Sequence, residues 1–258
     1  MDTSAQGLRV LITAGASGIG YAIARTFSEA GARVHICDID EAALGRTKVA
    51  LPSVTQTLAD VARVDHVDRL FAEAHLHLAG LDVMVNNAGI AGPTGNIEDI
   101  AVADWERTIA VDLNSMFYCT RLAMPLLKAA GGGSIINLSS VAGRLGFPMR
   151  TPYAAAKWAV VGLTQSLAME AGPHNIRVNC LQPGMVEGDR VDRVVEAKAK
   201  ALGLAPEAFR KRLLEQVSMR TTVSAQDIAN VALFLATDAG KHISGQAIPI
   251  CGNIETLA

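Results

Sequence analysis

Thr13-Ala14-Gly15-Ala16-Ser17-Gly18-Ile19-Gly20 decides how the rest of the chain is read. It follows a short apolar run, residues 8–14, and opens a helical stretch, residues 19–30, that Gly31 ends. A strand that passes through a glycine-rich turn into a helix builds an anion site. Glycines let the backbone approach a ligand, and the helix N-terminus offers unpaired N–H groups and positive dipole potential. Gly15, Ser17, Gly18, Ile19 and Gly20 are therefore candidates for holding a pyrophosphate. A tight turn with no ligand has the same pattern, so support must come from outside the turn.

Residues 33–37 read as the next strand, closed by Asp38, eighteen residues after Gly20. A carboxylate at that place accepts hydrogen bonds from an adenosine ribose and repels a 2′-phosphate. Ser17 and Ile39 are uncharged and no arginine directly follows Asp38, so the pattern favours NAD over NADP. Asp38 is also placed to cap a helix beginning near Asp40, and the two roles are compatible.

The alternation continues with helix 40–50, strand 55–59, helix 64–79 and strand 83–85, which ends at Asn86-Asn87-Ala88-Gly89. A long helix over 104–130, strand 134–138, helix 153–171 and strand 177–181 follow. Nearly continuous apolar strands separated by helices predict an α/β fold with a doubly wound parallel sheet, buried on both faces. No Pro/Ser-rich linker, repeat or low-complexity run interrupts the pattern, so residues 1–258 read as one domain. Residues 187–217 break the rhythm: they are helical and densely charged, with Pro206 at the start of a second helix. Beside the expected active face this insertion reads as a lid, and a solvated helical pair is the plainer reading.

Tyr153 precedes Lys157 by four residues, one helical turn along the same face, and Ser140 lies thirteen residues upstream of Tyr153. A phenol, with a reference pKa of about 10, is a poor base at neutral pH, and a cation one turn away favours its anion. A serine hydroxyl nearby would hold a carbonyl or alcohol oxygen in line with the phenol. Of three tyrosines only Tyr153 has a lysine at this interval, but the spacing also arises by chance, so context carries the argument. Ser139 competes with Ser140 for the serine role, and the interval to Tyr153 favours Ser140.

The formal net charge of −2 gives no bulk attraction to nucleic acid or an anionic membrane. Cys37, Cys119, Cys180 and Cys251 are scattered without a CxxC, which reads as reduced core thiols of a cytosolic protein. No metal site is expected, since His75 and His77 stand two apart in a helical stretch and point in different directions. No run is long and apolar enough to span a bilayer and the first nine residues lack a signal-peptide shape, so the expected location is cytoplasmic.

Taken in order, Thr13 to Gly20, Asp60-Val61, Asn86-Asn87-Ala88-Gly89, Asn114, Ile136-Asn137-Leu138-Ser139-Ser140, Tyr153 to Lys157 and Pro183-Gly184 resemble the short-chain dehydrogenase/reductase family over nearly the whole chain. The resemblance implies a Rossmann fold and NAD-dependent interconversion of a secondary alcohol and a ketone. By it, Asp60 and Val61 flank the adenine, while Asn87, Ala88 and Gly89 shape the cofactor side of the central strand. Pro183, Gly184 and Val186 bind the cofactor near its nicotinamide. Ser140 orients the substrate oxygen, Tyr153 exchanges its proton, Lys157 also bonds the nicotinamide ribose, and Asn114 supports a water leading to Lys157.

The resemblance further implies a homotetramer or dimer through the helices 104–130 and 153–171, where Ala154, Ala155, Ala156, Ala159 and Gly162 permit close approach. Three places depart from the family pattern. Ala14 stands where a glycine is usual, Gly188 where a threonine often contacts the carboxamide, and Cys251-Gly252-Asn253 where Asp-Gly-Gly is common.

The loop between Ser140 and Tyr153 is expected to line the substrate pocket. There Arg144 or Arg150 would meet an anionic substrate group, or else form a salt bridge at a subunit contact. Polyols, sugars, hydroxy acids and cyclic alcohols all remain open as substrates. The rival enzyme is a 3-oxoacyl-thioester reductase, which usually implies NADP. The rival of another class is a dinucleotide-sensing regulator, which has no use for Asn114, Ser140, Tyr153 and Lys157 together.

Overall fold

The computed structural model describes residues 3–257, and seven strands among them form one parallel sheet in the order β3-β2-β1-β4-β5-β6-β7. The first strand, β1 (Arg9–Thr13), lies between β2 (Arg33–Asp38) and β4 (Val83–Asn86). The strand order reverses there, which opens a crevice at the carboxyl ends of β1 and β4. Strands β3 (Thr55–Leu58), β5 (Gly133–Leu138), β6 (Ile176–Pro183) and β7 (Ala247–Ile250) extend the sheet on either side. Val10, Leu11, Ile12, Ile135 and Ile136 have no exposed surface, as a sheet covered on both faces requires.

Against one face pack α1 (Gly18–Glu29), α2 (Glu41–Ala50) and α9 (Ala225–Ala236), through Ile23, Phe27, Leu44, Ile228 and Leu235. Against the other lie α3 (Val64–Leu78), α5 (Ser115–Ala129) and the C-terminal part of α6 (Thr151–Ala171), through Leu70, Cys119, Leu127 and Ala171. The four cysteines are buried and unpaired. Among the described residues no helix is long and apolar enough to cross a membrane.

The long helix expected over 104–130 is interrupted. It consists of α4 (Val102–Ile109), a π turn (Ala110–Asn114) and α5. The π turn inserts a residue into the helical register, and such turns recur at functional sites. Here it turns Asp112 fully inward and ends at Asn114. The charged insertion folds as α7 (Asp189–Ala201) and α8 (Pro206–Glu215), with Pro206 in the first turn of the second helix.

Candidate active site

The glycine turn has the geometry of a phosphate cradle. Gly18 holds φ 52°, and a Cβ placed on it would meet nothing within 4 Å. Gly20 is the opposite case: a Cβ there would lie 2.0 Å from the Ala14 carbonyl oxygen and 2.5 Å from Asn87 Nδ2. Glycine at 20 thus lets α1 start hard against β1 and β4. The Ser17 side chain makes no capping hydrogen bond, and no acidic residue occupies the first turn of α1, so its N–H groups stay open to an anion. Ala14 keeps the left-handed conformation at φ 50°, so the departure from glycine is absorbed as local strain without reshaping the turn. Asn87 secures the turn from the neighbouring strand, donating from Nδ2 to the carbonyls of Thr13 (2.9 Å) and Ala14 (3.0 Å). The Thr13 hydroxyl in turn accepts from the amides of Asn87 and Ala88.

Asp38 stands at the end of β2 beside this turn. Its Oδ2 accepts from the Ala16 amide (3.1 Å), and its Oδ1 accepts from Ile39 (2.8 Å) and Asp40 (3.2 Å). Asp40 is the residue that caps α2, through Ala43. Asp60 accepts from the Ala62 amide and from Arg107, and Val61 is buried beside it.

A cavity of about 660 Å³ runs from the glycine turn to α7 and α8. Its wall brings together Ser17, Gly18, Ile19, Asn87, Gly89, Ser140, Arg150, Tyr153, Lys157, Pro183, Gly184 and Val186 from the expected set. Gly15, Gly20, Asp38, Asp60, Val61, Ala88, Asn114 and Arg144 lie outside that wall. Arg144 turns away from it, donating to the Ile254 carbonyl at 3.3 Å.

Tyr153 and Lys157 share this wall with the glycine turn. Tyr153 is in the first turn of α6, and the Lys157 ammonium lies 5.6 Å from its ring centroid. Lys157 is almost wholly buried and donates to the Leu138 carbonyl at 2.9 Å. The two serines are differently committed. Ser139 donates its hydroxyl to the Lys157 carbonyl at 2.8 Å and so fastens β5 to α6. Ser140 Oγ accepts from the Ala142 amide at 3.2 Å, which leaves its own proton available to the cavity.

Asp112 was not legible as a site residue. Its Oδ1 accepts from the Ile90 amide at 2.6 Å, and its Oδ2 stands 3.7 Å from Lys157 Nζ. The π turn therefore supplies a buried counter-ion to the lysine and holds the loop after β4 in place. A carboxylate within a helical stretch gives no sequence signal for this, because most such residues face solvent.

The far end of the cavity is built by α6, α7 and α8. Arg190, in the first turn of α7, donates across to the Gly89 carbonyl at 3.1 Å. Gly188 precedes α7 at φ 124° and ψ 175°, a conformation open essentially to glycine alone. A threonine there would need a different backbone path, which gives this departure from the family pattern a physical cause. Cys251 is buried beneath Gly184, where a Cβ on the glycine would lie 2.7 Å from the Cys251 Cβ. That departure is a matter of packing under the cavity floor.

Arg150 is buried between two rings, its guanidinium carbon 5.4 Å from the Phe147 centroid and 5.3 Å from that of Tyr153. Burial lowers its pKa. Lys198, on α7, faces the same Phe147 ring at 4.6 Å, and burial together with the charge of Arg150 lowers its pKa to about 8.

A parallel sheet with a glycine-rich cradle at its switch point, joined to a half-buried tyrosine with a buried serine and lysine, has the arrangement of a nucleotide-dependent oxidoreductase site. Residues 13–252 match the family described as enoyl-(acyl carrier protein) reductase. The chain is 38% identical over 252 residues to the trans-4-hydroxycyclohexanecarboxylate dehydrogenase of Sinomonas cyclohexanicum, covering 94% of this chain and 90% of that one. It is 33% identical to the D-beta-hydroxybutyrate dehydrogenase of Rhizobium meliloti (strain 1021), over 94% of this chain and 96% of that one. The crystal structure of NAD+-bound xylitol dehydrogenase superposes with a TM-score of 0.92 at 26% identity, covering 96% of this chain and 99% of that one. The chain belongs to the short-chain dehydrogenase/reductase family and is an oxidoreductase acting on CH–OH groups.

Proposed function

We propose that this chain is an NAD-dependent dehydrogenase that interconverts a secondary alcohol and a ketone, with Asn114, Ser140, Tyr153 and Lys157 as its catalytic residues. The observation that carries the reading is the Lys157 ammonium 5.6 Å from the Tyr153 ring, in the same cavity wall as the glycine turn. The cradle fits the cofactor: Gly18 opens onto free space at the start of α1, and the carboxylate of Asp38 closes the second strand beside it. Bound NAD+ would supply the hydride acceptor.

The chain's own residues do the rest. Gly15 to Gly20 hold the pyrophosphate, Asp38 the adenosine ribose, and Asp60 and Val61 the adenine edge. Asn87, Ala88 and Gly89, with Pro183, Gly184 and Val186, line the path toward the nicotinamide. Ser140 donates to the substrate oxygen and sets it against the phenol, and Tyr153 takes the hydroxyl proton in oxidation or returns it in reduction. Lys157 places positive charge beside the phenol and bonds the nicotinamide ribose, while Asp112 fixes the lysine from behind. Asn114, at the end of the π turn, supports the water that carries the proton onward. Helices α7 and α8 act as a lid over one domain, latched by Arg190 on Gly89.

The same reading includes a homotetramer. Phe117 on α5 and Trp158 on α6 are about half exposed, beside Ala155, Ala159 and Gly162, and a copy of these helices would cover them. A monomeric mass by light scattering at micromolar protein would remove this part.

The test of the function is NADH formation from NAD+ across polyols, sugars, hydroxy acids and cyclic secondary alcohols, with NADP+ in parallel. Turnover with NAD+ on one chemical class is the expected result, and none on any class overturns the reading. A likeness to the 3-ketoacyl-(acyl-carrier-protein) reductase from Brucella melitensis, at 29% identity and a TM-score of 0.86, favours one alternative, a 3-oxoacyl-thioester reductase. Oxidation of NADPH by a 3-oxoacyl thioester, faster than any alcohol oxidation, would establish it instead.

A further inference from the structure

Two buried cations share the far end of the cavity without a carboxylate between them. Arg150 is 2% exposed and Lys198 3% exposed, and both line the cavity. Neither enters an ion pair among the described residues. Arg150 Nη2 donates to the Ala91 carbonyl, while its Nε and Nη1 have no hydrogen-bond partner among those residues. Lys198 Nζ has one long bond, 3.5 Å to the Leu257 carbonyl. A buried guanidinium with two idle donors is costly, and a second like charge facing the same ring adds repulsion. An anion placed between them would offset both costs.

Of the acids near the cavity, Asp189 lines its wall in the first turn of α7 and pairs with neither cation. Asp112 accepts from Ile90 and faces Lys157, and Glu187 accepts from Thr222 at the other end of the lid. The glycine turn lines the same cavity through Ala14, Ser17, Gly18 and Ile19. Phe147, Phe209, Leu213 and Leu257 give this part of the wall apolar surface beside the two cations. Arg150 is also in contact with the Tyr153 ring, so an anion held there belongs to a molecule that reaches the phenol.

We propose that Arg150 and Lys198 form a carboxylate subsite, and that the substrate is a hydroxy acid with an apolar, carbocyclic or short alkyl body between its hydroxyl and its carboxylate. This rests on the dehydrogenase reading for the hydroxyl end and on the two cations for the other. Arg150 supplies a delocalised positive charge whose Nε and Nη1 make no bond within the protein, and Lys198 supplies a point charge from the lid. A lid helix that carries half of the anion site closes best over a substrate bearing the anion. The depressed pKa of Lys198, about 8, accords with an ammonium that lacks its counter-ion.

The experiment has a catalytic and a binding arm, on the purified full chain with NAD+ present. The first compares kcat/KM for trans-4-hydroxycyclohexanecarboxylate and for its carboxamide in the wild type, Lys198→Met and Arg150→Lys. The wild type should prefer the carboxylate, and the preference should fall about tenfold or more in Lys198→Met. The second arm titrates cyclohexanecarboxylate and cyclohexanecarboxamide by calorimetry, which needs no turnover. Carboxylate binding that weakens in both variants, with far-ultraviolet circular dichroism unchanged, supports the subsite even if no alcohol is oxidised. In that case only the dehydrogenase reading falls. Equal handling of carboxylate and carboxamide by the wild type, or a preference that neither variant moves, overturns the subsite while leaving alcohol oxidation intact.

Discussion

Gly188 joins β6 and its following loop to α7, and its φ of 124° with ψ of 175° admits one decisive substitution, Gly188→Ala. A Cβ built on Gly188 meets nothing within 4 Å, so the alanine methyl has room and the cost is one of backbone torsion alone. Holding a non-glycine residue in this region costs about 1–3 kcal/mol. Alanine also restricts the unfolded chain, which returns about 0.4–1 kcal/mol. The difference is about 1.3 kcal/mol at the midpoints of the two ranges if the backbone stays where it is. For a chain of this length that lowers Tm by about 3–5 °C.

The backbone has an alternative. It can swing to negative φ, recover the stability, and re-aim α7 with Arg190, Val191, Val195 and Lys198 on it. The assay therefore pairs a thermal melt with KM for cofactor and substrate. A lower Tm, or a KM that rises with Tm retained, is expected. Gly203, exposed at φ 68° in the turn after α7, serves as the control, since Gly203→Ala meets the left-handed penalty away from the cavity wall. A Gly188→Ala protein with both Tm and KM unchanged would refute the reasoning that this torsion sets the lid.

Tyr153→Phe removes the proton acceptor and keeps the ring, so kcat should fall by about 10²–10⁴ while NADH affinity by fluorescence titration is retained. A variant that turns over at the wild-type rate would exclude Tyr153 as the acid–base group. Asp38→Asn keeps one of the two oxygens that accept from backbone amides and removes the charge, so the ratio of kcat/KM with NAD+ to that with NADP+ should fall about tenfold. An unchanged ratio would assign the preference to another residue. His35 is buried between Thr55 and Thr57, and burial, with a smaller contribution from His77, lowers its pKa from 6.5 to about 4. The folded state thus favours the neutral ring. The stability this confers is present above pH 6.5 and is lost as pH falls toward 4, in total about 3 kcal/mol. In His35→Gln the loss of urea-unfolding free energy between pH 7 and pH 4 should shrink by up to that amount, and an unchanged loss would remove His35 as an acid trigger.

What sequence could deliver followed from how local each signal is. The cradle was legible because one strand, a run of glycines and one helix N-terminus are contiguous, and the expected bounds of the early strands and helices fall within about two residues of those observed. The last helix and strand, α9 and β7, were not assigned from sequence. Yet Ser224 and Asp227 form a complete capping box ahead of an Ala/Leu-rich run, a signal that could have found α9. The π turn had no such signal. Apolar periodicity averages over a helix, and one inserted residue at 110–114 leaves the pattern on both sides intact. With the π turn went Asp112, whose value lies in contacts with Ile90 and Lys157 that are far apart in sequence.

The charged insertion shows the same limit from the other side. Its density of Lys and Arg argued for a solvated surface, and for most of those residues that holds. Lys198 differs because its ammonium lies inside, facing the rings of Phe147 and Phe209. Nothing in the run from Asp189 to Arg212 distinguishes it from Lys200, two residues later and exposed. Arg150 was legible as a candidate only through its distance in sequence from Tyr153, and Arg144, equally eligible on that ground, turns to Ile254. Reaction type is written in residues that must be close along the chain, a tyrosine and lysine one helical turn apart. The proposed carboxylate subsite lies between the residue that precedes α6 and a residue of α7, and only the folded chain brings those two together.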